Sequence, residues 1–524
     1  DLWLPLATSE LGLGANALHC FRPRELNMAS TLFLRSLDRI EALGNRLPPP
    51  AWLFVWLCGI VLVASAIAAG LGWQASWPDG SKTVSAVNLI SLVGLNHLFS
   101  DTVSNFTGFA PVGNVVVAML GLGLAERSGL LAELLSSLVR ISGVRALPTV
   151  VALAGVLSSI AVDAGYVVVI PLAGLLFQRA GLPPLAGIAC AFAGVSGGFS
   201  ANVLIGPVDA LLAGIATEAL QTVKPGVEVA VTANYFFMLA STLWVTLIVS
   251  WVNHQFVMPR LSATASVTPL PRADLDDSYL HPSGAKAVLV WTLALLVFAL
   301  AGLLPADGFL RGEDGSITKS PLIKGVVVLV ALYAGIAGIL YARVSGRWAR
   351  SSDAVPALEE TLKTLASYLV LMFFAAQFVA YFQWSNIGQL VAITGAENLR
   401  ALDWSPVTLL LLFVLFTVTL DLLIGSASAK WALMAPVFIP MFFLAGIPAE
   451  GTLAAYRVGD SVATIITPLM PYFAMVVAFA QRFEPKAGIG TLMAMMLPYS
   501  LMLLIGWGGL LALWLSMGWP LGPS

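Results

Sequence analysis

Residues 425–468 read GSASAKWALMAPVFIPMFFLAGIPAEGTLAAYRVGDSVATIITP, and this stretch decides how the chain is understood. It sets Ser426, Ser428, Lys430, Trp431, Arg457, Asp460 and Ser461 among residues apolar enough to lie in a bilayer. A charge near the centre of a spanning helix costs about 2.5–3.5 kcal/mol on insertion scales. Such residues are kept where they pair, line a wet cavity or bind something, so the functional site is expected here.

Outward from that stretch the chain has the same character. Of its 524 residues 58% are hydrophobic and only 10% charged, against about 25% charged in soluble domains. Runs such as 51–73, 229–251, 287–304, 323–341 and 492–517 are long enough to cross a hydrocarbon core of about 30 Å as helices. The reading is an all-α polytopic membrane protein with lipid around it. A net charge of −2 gives no sign of a nucleic-acid partner. Cys20, Cys58 and Cys190 share no metal-ligand spacing and suggest neither a disulfide framework nor a metal motif.

Arg35, Arg39 and Arg46 precede the first span, whereas the loop after it carries only Asp79 and Lys82. The excess of positive charge predicts a cytoplasmic N-terminus. Met28 opens an amphipathic segment, MASTLFLRSLDRIEALGNRLPPP, and residues 1–27 read as an extension upstream of the native start. The expected organisation is a cytoplasmic segment (1–50), a first transmembrane repeat (51–260), a cytoplasmic linker (261–283) and a second transmembrane repeat (284–524).

The first repeat carries its own interruptions. Asn96–Pro111 (NHLFSDTVSNFTGFAP) is polar backbone that is either a periplasmic loop or a cavity lining. Residues 147–180 place Ser158, Ser159 and Asp163 between two half-length apolar arms, the pattern of a re-entrant hairpin. GVSGGFSAN at 194–202, followed by Pro207 and Asp209, predicts an unwound helix whose free backbone groups need partners.

These features recur. An offset of 265 residues carries Pro171 onto Pro436, Gly181 onto Gly446, Pro183 onto Pro448, Gly194 onto Gly459 and Ser196 onto Ser461. It also lays the break at 194–202 over Arg457–Thr467. The span at 229–257 runs toward Arg260, whereas its counterpart at 489–518 starts after Arg482 and Lys486 and ends in a neutral tail, so the two copies are expected to point in opposite directions. Interrupted segments in matching positions of inverted halves point to a secondary transporter with its site between the halves.

The motifs SASAKW (426–431), YRVGDS (456–461), Pro468, and GVSGGFSAN (194–202) with Asp209 resemble the p-aminobenzoyl-glutamate transporter (AbgT) family, over essentially the whole chain from about residue 50. The resemblance implies about nine spanning helices with two re-entrant hairpins per subunit, a bowl-shaped homodimer and a bacterial inner-membrane location. It also implies ion-driven transport of p-aminobenzoyl-glutamate or of sulfonamides, including drug efflux. The family positions carried over are Asp209, Ser428, Trp431, Arg457, Asp460 and Pro468. Asp421, before the second hairpin, stands where an amide is expected.

Read as chemistry, Arg457 has the planar fork for a carboxylate or sulfonamide oxygens, which Lys430 lacks. The alternative is a self-neutralising pair with Asp460, three residues on. Trp431 offers a flat face to an aromatic ring, or else an interfacial anchor. Ser426, Ser428, Ser200 and Asn202 are candidate polar contacts, or small residues for tight packing, and Pro468 is expected to hold its break open. Asp460, Asp209, Asp163 and Asp421 are the candidate ion-coupling carboxylates, with Na⁺ or H⁺ as the ion and Asp460 the candidate Na⁺ ligand; the alternative for each is a helix or hairpin cap. Lys430 either snorkels out or pairs with a carboxylate. No other cofactor is expected. An organic-anion or dicarboxylate symporter is the nearest rival function, with a channel or an intramembrane enzyme more remote. All four histidines, His19, His97, His254 and His281, lie outside the two repeated hairpin-and-break segments, which speaks against a hydrolase, and no phosphate-binding loop suggests an ATP-driven pump.

Overall fold

The computed structural model describes residues 50–77, 82–140, 143–161, 165–262, 281–305, 307–312, 321, 325–470 and 472–523. The expectations for residues 1–49, for most of the linker and for Asp163 fall outside the described residues. The chain is a multi-pass, nearly all-helical membrane protein. The first half runs α1 (Pro50–Gly70), α2 (Leu92–Ser100), α3 (Thr102–Thr107), α4 (Ala110–Arg127), α5 (Leu130–Arg140), α6 (Leu147–Leu157), α7 (Ile170–Arg179), α8 (Pro184–Val195), α9 (Pro207–Gln221) and α10 (Tyr235–Val252). The second runs α11 (Pro282–Leu303), α12 (Val326–Val344), α13 (Ala354–Thr364), α14 (Ala366–Trp384), α15 (Ile387–Ala401), α16 (Pro406–Asp421), α17 (Ala427–Leu444), α18 (Ala449–Thr464), α19 (Phe473–Gln481) and α20 (Ile489–Ser516). A small antiparallel ribbon, β1 (Gln74–Ser76) with β2 (Thr83–Ser85), follows α1.

Among the described residues seven helices are long and apolar enough to cross a membrane, whereas α6, α7, α8 and α16 are apolar but shorter. Burial sorts them. In α11 only 6% of the spanning window is inside the protein, in α17 61%, so α17 is a core element and α11 a peripheral one. Helices α4 and α12 cross closely because small residues meet. A Cβ on Gly121 would overlap the Ala331 carbonyl, and one on Gly338 would lie 2.8 Å from the Ala125 backbone.

The 265-residue offset reappears in backbone detail. Arg179 ends α7 and Leu444 ends α17, while Pro184 starts α8 and Ala449 starts α18. Between them both chains turn through the same left-handed cap. Gly181 (φ 72°) and Gly446 (φ 92°) adopt a conformation that a side chain disfavours. Leu182 N–H bonds to Phe177 O and Ile447 N–H to Phe442 O, each at 2.8 Å. Gly181 N–H bonds to Gln178 O and Gly446 N–H to Phe443 O, each at 3.0 Å.

Two expectations change. The polar run Asn96–Pro111 is not an irregular loop. Most of it is helical, in α2, α3 and the start of α4, and it docks on α14, where Asn105 donates to Gln377 (2.9 Å) and Gln377 in turn donates to Thr102 O (2.9 Å). The second break also starts later than Arg457: α18 stays helical through Thr464, and the irregular backbone begins only at 465, running to 470 among the described residues. The polar side chains of α18 find lateral partners on other helices, so the backbone has no need to open.

Candidate functional site

The site is built on α18, a helix buried on almost every side: Arg457 and Asp460 are each 2% exposed and Ser461 is fully buried. Arg457 and Asp460 do not neutralise each other, although i,i+3 spacing allows it. They reach in different directions, each to a partner on another element.

Arg457 points to the first half. Its Nη1 donates to Asp209 Oδ1 at 2.6 Å and lies 3.6 Å from the sulfur of Met238. Asp209 sits in the first turn of α9, where its other oxygen accepts the Gly206 N–H at 2.7 Å. The helix start thus favours the carboxylate twice, by a direct bond and by the positive end of the dipole. The Nε of Arg457 is buried and finds no partner among the described residues. Beside it is a void of about 10 Å³, room for about one water, lined by Asn202, Asp209, Asn234, Tyr235 and Arg457 among others. Val231 lines both this void and a much larger cleft of about 1610 Å³, whose walls include Thr217, Glu218, Glu228, Glu450 and Trp519.

Asp460 points the other way. Its Oδ1 lies 2.8 Å from Lys430 Nζ and 3.3 Å from the Tyr456 hydroxyl, which donates its shorter bond to Ala427 O (2.6 Å). Lys430 also bonds to Asp421, the last residue of α16, whose second oxygen accepts the Thr464 hydroxyl at 3.1 Å. The side chains of Lys430 and Asp421 are completely buried. Lys430 therefore does not snorkel. It pairs with both carboxylates, and the place at Asp460 where a Na⁺ ion is expected from sequence holds the lysine ammonium.

The remaining candidates fall around these pairs. Trp431 is fully buried; its indole N–H donates to Leu212 O on α9 at 2.9 Å and its ring lies 4.3 Å from that of Tyr456. Ser426 caps α17 by accepting the Ala429 N–H (3.4 Å), with Ser428 3.3 Å from it. In the first break Ser200 donates its N–H to Ser461 at 3.2 Å while its hydroxyl has no partner among the described residues, and Asn202 accepts from Ser159. Pro468 lies in the irregular 465–470 segment, where neighbouring Met470 meets Ser196. The two interrupted segments thus touch. Tyr456 and Thr464 were missed from sequence, though both lie at i±4 of Asp460 and so on its helix face. Asn234, which donates to Glu450 O at 2.9 Å, had no signal at all. No group of three or more His, Cys, Asp or Glu side chains suited to a metal occurs among the described residues.

Comparison with known proteins agrees with this architecture. The chain is 33% identical over 486 residues to the p-aminobenzoyl-glutamate transport protein of Escherichia coli K12, covering 93% of this chain and 95% of that one. The crystal structure of the Alcanivorax borkumensis YdaH transporter superposes with a TM-score of 0.87 at 53% identity, over 91% of this chain and all of the other. Neisseria gonorrhoeae MtrF, of a class of antimetabolite efflux pumps, superposes with a TM-score of 0.85 at 41% identity, over 92% of this chain and 97% of its own. These relatives are transporters rather than enzymes, and since the AbgT transporter family matches residues 35–524, the chain belongs to that family.

Proposed function

We propose that the protein carries p-aminobenzoyl-glutamate and sulfonamide-type antimetabolites across the bacterial inner membrane. It does so by alternating access of its two oppositely oriented repeats, driven by a Na⁺ or H⁺ gradient. It works as a homodimer with the N-terminus in the cytoplasm, about nine spanning helices and two re-entrant hairpins per subunit.

The reading rests on Arg457. A buried guanidinium with a free Nε–H, beside a void that shares the Val231 wall with a large open cleft, is a receptor for an anion that arrives from that cleft. The substrate's carboxylate or sulfonamide oxygens take Nε–H and compete with Asp209 for the rest of the fork. Asp209 keeps its bond from Gly206, so it can let go of the arginine without becoming an unpaired group. Because Arg457 belongs to the second half and Asp209 to the first, anion binding exchanges a tie between the halves for a tie to the cargo. Ser200, Asn202, Ser426 and Ser428 supply polar contacts. Pro468 keeps the break open, and the Trp431–Tyr456 pair offers aromatic surface once α17 shifts against α9. Asp460, Asp209, Asp163 and Asp421 are the coupling carboxylates.

The test is uptake of radiolabelled p-aminobenzoyl-glutamate into proteoliposomes with Na⁺ and H⁺ gradients imposed separately, with sulfonamide as competitor. Saturable, gradient-dependent uptake is expected for the wild type. Arg457→Lys loses the fork but keeps the charge, and its uptake at low substrate falls about tenfold or more, the worth of one charge-assisted hydrogen bond. Unchanged uptake by Arg457→Lys rules out the anion role, and no saturable flux of either compound in the wild type rules out the substrate.

A further inference from the structure

We infer that Lys430 is a tethered counter-cation. Its ammonium fills, by covalent attachment, the position between Asp421 and Asp460 that a bound Na⁺ would occupy, and transport by this protein is therefore independent of Na⁺. The inference rests on the transporter reading for its consequence but on the geometry alone for its existence. Three observations carry it.

First, the ammonium already bridges the two carboxylates. Lys430 Nζ bonds to Asp421 and lies 2.8 Å from Asp460 Oδ1. The Thr464 hydroxyl, which also meets the Asp460 carbonyl (2.7 Å), lies 3.1 Å from the second Asp421 oxygen, and the Tyr456 hydroxyl, which bonds Ala427 O (2.6 Å), lies 3.3 Å from Asp460 Oδ1. A hard cation needs several oxygens free to converge on it, and here the lysine already holds one oxygen of each carboxylate. Second, the place is enclosed by protein. None of the three residues lines the cleft or the small void, and the three side chains are 0–2% exposed. Third, the charges forbid joint occupancy. A metal ion and an ammonium within contact distance of the same carboxylates repel in a medium that screens poorly. The ammonium has a further advantage: its partner Asp421 is the last residue of α16, at the end of a helix that favours a cation. Its entropy of binding was spent when the chain folded, so it does not compete with the medium.

The tether predicts a latent Na⁺ site. Lys430→Ala empties the space and frees both carboxylates, and the Asp421→Asn/Lys430→Ala double variant does so with a single carboxylate left, which one Na⁺ would match in charge. The experiment is thermal unfolding of the detergent-purified full-length protein as NaCl replaces choline chloride at constant ionic strength, with ²²Na⁺ binding measured in parallel. The wild type is expected to show no saturable Na⁺ effect on its melting temperature and no bound ²²Na⁺. Lys430→Ala, or the double variant if the single one does not fold, gains a saturable rise in melting temperature with Na⁺. Saturable Na⁺ stabilisation of the wild type that Asp460→Asn abolishes overturns the inference, as does a folded lysine variant with no response to Na⁺. In proteoliposomes wild-type uptake under a pH gradient is the same in Na⁺ and choline, and a tenfold fall on removing Na⁺ overturns the inference. Absence of uptake in both media counts against the proposed substrate and not against the tether, which the melting and ²²Na⁺ measurements decide on their own.

Discussion

Asp209→Asn should weaken the empty protein and strengthen its grip on substrate. In the native site one carboxylate oxygen takes the Arg457 Nη1 at 2.6 Å and the other the Gly206 N–H at 2.7 Å. Asparagine has a single acceptor oxygen, so keeping the helix cap turns an NH₂ group toward the guanidinium. That leaves a buried cation without a counter-charge, a change worth about 3–5 kcal/mol when one partner of a buried pair is removed. A substrate carboxylate meets Arg457 without a rival in this variant, and the charge-assisted bond it no longer has to displace is worth about 1.5–3 kcal/mol. At about 1.4 kcal/mol per factor of ten, binding tightens about tenfold to a hundredfold. The assay pairs detergent melting curves, with and without p-aminobenzoyl-glutamate, with a calorimetric titration. The variant should melt lower than the wild type when empty and gain more from ligand. Asp209→Asn/Arg457→Met, which removes both charges, should recover much of the lost stability and bind poorly. A folded Asp209→Asn protein that binds substrate no more tightly than the wild type refutes the exchange of Asp209 for cargo at Arg457.

Two further outcomes follow from packing away from the site. Glu133, 7% exposed, accepts from Arg347 and from the Tyr341 hydroxyl; since Arg347 is 43% exposed and well screened, Glu133→Gln should cost only about 1–2 kcal/mol, seen as a lower melting temperature with turnover unchanged. Gly121→Val should prevent the α4–α12 crossing and abolish monodisperse folded protein on size-exclusion chromatography, whereas Gly59→Val, where an added Cβ meets nothing within 4 Å, should elute as the wild type does.

Much of this was legible in the chain because membranes leave little choice. Spans announce themselves by length and apolarity, and Pro171 and Pro436 mark the repeat that the paired glycine caps reproduce in three dimensions. The polar residues of 425–468 drew attention to α18 for the same reason, since charges such as Arg457 and Asp460 at that depth need partners. What could not be read was pairing. Sequence distance made Arg457 and Asp460 natural partners, yet the carboxylate that meets Arg457 comes from Asp209, 248 positions away. The partner of Asp460 was in view as Lys430, but only the fold brings the end of α16 against the start of α17 and leaves that ammonium nowhere else to go. The extent of the second break was overestimated because polarity was equated with irregular backbone. On α18 the polarity is spent sideways and the helix survives.

That survival gives α18 a mechanical character. Arg457 and Asp460 stand three residues apart, about 4.5 Å along a rigid helix axis, and one is fastened to α9 of the first half while the other is fastened to α17 of the second. The helix works as a yoke between two hitches. A shift that loosens one must strain or drag the other, because so short a length of hydrogen-bonded helix has no slack to absorb it. In the proposed function, an anion arriving at one end and a change of charge at the other would therefore need no relay of intervening side chains to feel each other. The linkage is the rod itself, and its tightness is fixed by less than one turn.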